Sequence, residues 1–114
     1  MRRAEVYQAR LDPVEGSEQA GTRPVIVVSR DAINASSTVI LVVPCTTYRV
    51  GQRIYPSQIL IRAPDGGLDV DSIALAEQVR AMTKKRFGRL RGVLNASTMA
   101  QLEKALIIAL DLAL

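Results

Sequence analysis

The segment Val25-Ile26-Val27-Val28, entered through Thr22-Arg23-Pro24, leaves this chain the least conformational freedom. β-Branched side chains are stiff about their first torsion and suit a pleated strand. An apolar run without alternation reads as a strand buried on both faces. Pro24 fixes its own backbone and biases Arg23 towards an extended conformation. Upstream, Gly16-Ser17-Glu18-Gln19-Ala20-Gly21 is polar with a glycine at each end, the composition of a mobile loop. One guanidinium is therefore held at the mouth of a sheet, beside a loop that carries a carboxylate and an amide. That arrangement suits an anionic ligand.

The rest of the chain reads as short strands and one long helix. Val6, Gln8 and Arg10 alternate with Glu5, Tyr7, Ala9 and Leu11, a two-residue period that predicts a strand closed by Asp12-Pro13. Residues 31–37 form a polar connection with room for one helical turn. Residues 39–44 predict a second buried strand, ending at Cys45-Thr46-Thr47-Tyr48. A hairpin loop with Gly51 and Pro56 leads to a strand over 58–62, and Pro64-Asp65-Gly66-Gly67 marks a turn. Residues 72–79 predict a further strand with Glu77, Gln78 and Arg80 at its end. Thr83 then caps one helical turn over 84–87, which Gly88 ends.

Thr98, with Gln101 three residues on, forms a capping-box pattern that opens the terminal helix. Met99, Leu102, Leu106, Ala109 and Leu110 make its core stripe. Ile107, Ile108 and Leu112 widen that stripe beyond one face, so the helix is expected to meet a second surface, such as another copy of itself. The expected fold is mainly β (α+β): a small antiparallel sheet curled into a partial barrel with a C-terminal α-helix, one domain over 1–114.

Composition narrows the chemistry. The chain has 114 residues, no histidine and one cysteine, Cys45. The commonest general acid/base and the commonest metal ligand are therefore missing, and no internal disulfide can form. A reducing cytoplasm fits that cysteine usage, and no apolar run is long enough to span a membrane. The formal net charge is +4. Its distribution is uneven: Arg80, Lys84, Lys85, Arg86, Arg89 and Arg91 fall in a segment without an acid. That segment reads either as a solvated basic face or as a phosphate-attracting surface.

Five motifs lie in the order and at the spacing of one known family. They are Glu5-Val6-Tyr7, Leu11-Asp12-Pro13 with Gly16-Ser17-Glu18-Gln19, Arg23-Pro24-Val25-Ile26-Val27, Pro44-Cys45-Thr46, and Glu77-Gln78-Val79-Arg80. In these the chain resembles the MazF/PemK ribonuclease toxins of bacterial toxin–antitoxin modules, and the likeness covers most of its length. Arg2-Arg3-Ala4 departs from the family's basic-Gly start, and Thr46-Thr47 leaves two threonines for one family position.

The resemblance implies an SH3-like (CcdB-like) barrel with a C-terminal helix, working as a homodimer. It implies metal-independent cleavage of single-stranded RNA at short sequences, with no cofactor, leaving a 2′,3′-cyclic phosphate and a 5′-hydroxyl. On the matching positions Arg23 stabilises the extra charge on phosphorus and Thr46 donates a hydroxyl hydrogen bond. Glu18 serves either as base or as a group that reads bases. Ser17, Gln19, Thr47, Tyr48, Glu77, Gln78 and Arg80 are the expected substrate-binding residues. Plain alternatives stand beside these roles: Arg23 paired with a neighbouring carboxylate, Glu77 paired with Arg80, Cys45 a small buried apolar residue.

A toxin of this kind implies a cognate antitoxin with an acidic-apolar tail that folds on binding. Two other functions remain open at this level. One is a gyrase-poisoning toxin of the same fold, disfavoured because the chain lacks tryptophan and ends in Leu112-Ala113-Leu114. The other is a barrel that binds RNA and cuts nothing.

Overall fold

In the computed structural model, which describes residues 1–13 and 15–113, the run 25–27 is the strand its composition demands. Val25 and Val27 face one buried cluster with Ala9, Leu11, Ile40, Val42 and Met82, while Ile26 faces the other with Val6, Val43, Cys45 and Leu102. Val14 and Leu114, in the loop and at the chain's end, lie outside the described residues.

The strands are β1 (Glu5–Arg10), β2 (Thr22–Val27), β3 (Val39–Thr47), β4 (Gln58–Ile61), β5 (Ser72–Leu75), β6 (Arg80–Thr83) and β7 (Phe87–Val93). The helices are α1 (Asp31–Ser36) and α2 (Ala96–Leu110). Every pairing is antiparallel, in the order β4-β5-β3-β2-β1-β7, with β6 beside β3. The mainly β, antiparallel open sheet with a terminal helix is the architecture expected. α2 covers the Ile26 face, burying Met99, Leu102 and Ala105. No described helix is long and apolar enough to cross a membrane.

Several boundaries differ from the sequence reading. β3 does not stop at Pro44 but runs on to Thr47, and this length is what positions the site. Its first half pairs with β6, Val42 opposite Arg80, and its last residues pair with β5, Cys45 opposite Ala74. Between these two ladders the segment 72–79 is not one strand. It breaks at a 3-10 turn, Ala76–Gln78, alongside Pro44, which has no N–H to offer a ladder. β3 and β4 form no hairpin, because β5 lies between them.

The turn at Lys84–Arg86 is 3-10 and Thr83 caps it, but Gly88 continues into β7. The cap of α2 is Asn95, whose side chain accepts from the Thr98 N–H at 2.8 Å, not Thr98 itself. Leu110 is 52% exposed and so lies outside the core stripe, as do Ile108 and Leu112. Ala4, at the position where the resembled family has glycine, takes φ of 77°, a conformation that costs an ordinary side chain about 1 kcal/mol.

Candidate functional site

The β2–β3 ladder ends at Val25 opposite Pro44. Continuing its register by two residues sets Arg23 across from Thr46, so both side chains leave the same face of the sheet. Beyond Val25 and Pro44 the strands part. Thr22, Arg23 and Pro24 on one side, and Cys45, Thr46 and Thr47 on the other, border a pocket of about 220 Å³. Consecutive residues on both strands line it, so it is the split between them. Pro24 helps to open it, because it cannot donate across the gap.

The Arg23 Nε–H donates to the Ala20 carbonyl at 3.1 Å. That bond backs the guanidinium against the loop. Its two terminal nitrogens have no partner among the described residues, and neither does the Thr46 hydroxyl. No carboxylate pairs with Arg23: the ion pairs among the described residues are Arg3–Glu103, Arg62–Asp71 and Arg91–Asp69. A half-buried arginine and a threonine hydroxyl thus border one pocket with hydrogen-bonding capacity to spare.

The loop is held more firmly than its composition implies. The Gln19 N–H donates to Gln78 Oε1 at 2.9 Å, and Gln78 Nε2 donates to the Ser17 carbonyl at 3.5 Å. The Gly21 N–H donates to Asp12 Oδ1 at 3.2 Å, and Gly21 has φ of 73°, which a residue with a Cβ rarely takes. Gln78, on the break between β5 and β6, is therefore the clip that fastens the loop over the site.

Glu18, Gln19, Glu77, Gln78 and Arg80 come together with Leu11, Pro44 and Val79 around a second pocket of about 360 Å³. Pro44 projects from the same face as Thr46, about 7 Å along β3, so this pocket adjoins the Arg23–Thr46 pair. The structure separates some expected neighbours. Glu18 lines the second pocket and not the first. Thr47 lies opposite Ser72 and borders the first pocket beside Thr46, although strand alternation turns its side chain the other way. Ser17 contributes its carbonyl rather than its side chain, and Tyr48 lines neither pocket.

Glu77 does not pair with Arg80. Its carboxylate accepts from Ser57 Oγ at 3.1 Å and Gln58 Nε2 at 2.8 Å, while Arg80 donates to the Leu11 carbonyl at 3.3 Å. Cys45 is fully buried and burial pushes its thiol up to about 12, so it is no nucleophile.

Two residues of the split escape the sequence reading. Arg91, with a side chain only 10% exposed, donates to Gln8 Oε1 at 2.9 Å and pairs with Asp69 at 2.7 Å. Both Arg91 and Gln8 border the pocket. Arg91 belongs to the basic run noted in the sequence, and Gln8 to the β1 alternation. Their meeting depends on a pairing 83 residues apart, which no local pattern reports.

The chain as a whole is similar to known proteins. The family profile described as "PemK-like, MazF-like toxin of type II toxin-antitoxin system" matches residues 2–110. Endoribonuclease MazF9 of Mycobacterium tuberculosis (strain ATCC 25618 / H37Rv) is 44% identical, the alignment covering 98% of each chain. An endoribonuclease from a mycobacterial species, solved in complex with its cognate antitoxin, superposes with a TM-score of 0.82 at 25% identity. That match covers 100% of this chain and 98% of the other. The M. tuberculosis toxin MazF-mt6 superposes at 0.80 with 25% identity, over 96% and 99% of the two chains.

Proposed function

This chain belongs to the PemK-like, MazF-like toxin family, and from that membership we propose that it is an endoribonuclease toxin cutting single-stranded RNA at the Arg23–Thr46 pair. The observation that carries the assignment to these residues is that both border one pocket, at the split where β2 and β3 part. Two adjacent strands bring a guanidinium and a hydroxyl to it, the guanidinium held by its Nε–H alone with both terminal nitrogens free, and the hydroxyl without a partner among the described residues.

The reaction is a transesterification within the RNA. The ribose 2′-oxygen attacks the neighbouring phosphorus and the bond to the 5′-oxygen of the next nucleotide breaks. The 2′-hydroxyl gives up a proton and the leaving oxygen gains one, so no water is consumed. The products are a 2′,3′-cyclic phosphate and a 5′-hydroxyl. Charge builds on the non-bridging oxygens as phosphorus becomes five-coordinate. The free terminal nitrogens of Arg23 form a planar fork that meets two such oxygens, and the Thr46 hydroxyl donates to one. Both groups are set before substrate arrives, which is what makes such donors effective.

Glu18 lines the second pocket rather than the Arg23–Thr46 pocket, which favours its role as a group that reads bases over that of the base for the 2′-hydroxyl proton. It stands on a loop clipped by Gln78, in a pocket bordered by Pro44 of β3. Gln19, Gln78 and Arg80 offer donors and acceptors there for the edges of unstacked bases, which is how single-stranded RNA is read. Glu77, fastened by Ser57 and Gln58, contributes an acceptor at the rim. Tyr48 and Thr47 flank the pair from the end of β3, and Ser17 supplies the loop's main chain.

The protein works as one toxin domain over 1–114, as a homodimer in the cytoplasm, restrained by a cognate antitoxin. The exposed apolar strip of α2 supports the pairing of two copies. The test is incubation of the purified protein with long single-stranded RNA in chelator, followed by end-group analysis. Fragments with 5′-hydroxyl and cyclic phosphate ends are expected. Intact RNA would leave a binding protein or a gyrase poison, and 5′-phosphate ends would remove the 2′-hydroxyl mechanism.

A further inference from the structure

Beside the split lies a pocket of about 400 Å³ whose rim carries Arg10, Lys85, Arg86 and Arg89. Gln8 and Thr22 border both pockets, so the two are continuous over the end of β1 and β2. No carboxylate neutralises these cations: none takes part in an ion pair among the described residues. Arg86 is tied to main chain, its guanidinium donating to the carbonyls of Arg10, at 3.4 Å, and Asp12. Arg10, Lys85 and Arg89 make no side-chain hydrogen bond among the described residues. Three solvated cations surround one anchored guanidinium, next to a site that handles a phosphodiester.

We propose that this cationic pocket grips the phosphates of the RNA strand flanking the cleaved linkage. The inference rests on the nuclease reading, since it takes its direction from the Arg23–Thr46 pair. A nucleic-acid strand carries condensed counter-cations, and each phosphate that these unneutralised side chains contact releases some of them, which favours binding. The chemistry favours a nucleic-acid backbone over an acidic protein tail. A tail that folds on binding needs apolar anchors as well as charge, and the one aromatic ring at this rim is already committed. Phe87 meets Tyr7 edge to face at 5.6 Å between centroids. The track therefore reads no sequence. It lengthens the footprint, raises affinity for long RNA, and leaves the choice of cleavage site to the Glu18–Gln78 side.

The test compares wild type with the triple variant Arg10→Gln/Lys85→Gln/Arg89→Gln. A control removes the same charge elsewhere, Arg2→Gln/Arg30→Gln/Lys104→Gln. The binding probe is a fully 2′-O-methylated oligonucleotide of about 14 nucleotides, which lacks the attacking hydroxyl and falls within the span a small barrel covers. Each lost phosphate contact on a single strand lowers the salt slope by about 0.7. The triple variant should therefore show a slope smaller by about 2, so that wild type loses roughly twentyfold more affinity between 50 and 200 mM salt. The control should keep the wild-type slope. KM for long RNA should rise in the triple variant while kcat stays level, and Arg10→Lys/Arg89→Lys should behave as wild type.

An unchanged slope in the triple variant, with wild type still cutting RNA, would overturn the track and leave the nuclease standing. Loss of binding to a poly-glutamate peptide with RNA binding intact would reassign the pocket to a protein partner. Wild type that cuts no RNA would end the nuclease reading and this one with it.

Discussion

Thr46 and Thr47 are neighbours in the chain, yet strand geometry sends their side chains to opposite faces of β3. Thr46 lies opposite Ile73 and borders the pocket of Arg23, while Thr47 lies opposite Ser72. Thr46→Val keeps the shape and removes the donor, so cleavage should fall by roughly a hundredfold, the usual cost of one such donor. Thr47→Val should leave the rate near wild type. Rates measured on the same RNA under single-turnover conditions check both, and the reverse ranking would move the site to the other face. The sequence left two threonines for one family position because a run of two polar residues at a strand's end does not reveal how far pairing continues. Once β3 is seen to run through Thr47, parity alone separates them. The plain alternative of Glu77 paired with Arg80 fails because a 3-10 turn followed by a strand carries the two side chains apart, and Glu77 finds Ser57 and Gln58 instead.

At the scale of elements, the site depends on the break between β5 and β6. Val42 pairs with Arg80 and Cys45 with Ala74, so five residues, Leu75 to Val79, pass where β3 advances by two, Val43 and Pro44. The excess is what lifts Gln78 outward to clip the loop. The two buried strands, the loop and the terminal helix were legible because each is written in local composition. The break was not, because it is set by where Pro44 falls in a partner strand.

The β4–β5 connection carries its own prediction. Asp71 accepts from the Ala63 N–H and from Arg62, both at 2.9 Å, and these hold its carboxyl below its ordinary value, the main-chain hydrogen bond first. A carboxylate with a lowered folded pKa stabilises the fold above its unfolded value and loses that contribution as pH falls through the folded one. Wild type should thus lose melting temperature from about pH 4 downwards, and Asp71→Asn should show a shallower acid limb in thermal melts. Parallel limbs would show that these bonds do not hold the turn.

For the whole molecule, the open question is what covers α2. Ile108, Leu110 and Leu112 are each more than half exposed, at 54%, 52% and 53%, and Leu41 at 42% borders the same groove. A contiguous apolar strip of this kind marks an interface. Leu110→Asp should shift the protein from dimer to monomer in sedimentation velocity with the far-ultraviolet spectrum intact; a wild type that sediments as a monomer at micromolar concentration would contradict the pairing. The sequence already showed a helix apolar around too much of its circumference, and burial places Ile108 and Leu112 in the excess as read but adds Leu110, which the sequence reading had put in the core stripe. It could not show that both faces of the sheet pack a buried cluster, one of them under α2, and that Arg23 and Thr46 border a pocket where β2 and β3 part.

The central claim, that the guanidinium of Arg23 stabilises charge on the phosphorus under attack, is tested most directly by single-turnover cleavage with Arg23→Ala and Arg23→Lys beside wild type. Arg23→Ala should cut at least about a hundredfold more slowly, and Arg23→Lys, which keeps the charge but loses the fork, should recover only part of that, with melting temperatures unchanged in both. Cleavage by Arg23→Ala at the wild-type rate would place the reaction centre elsewhere.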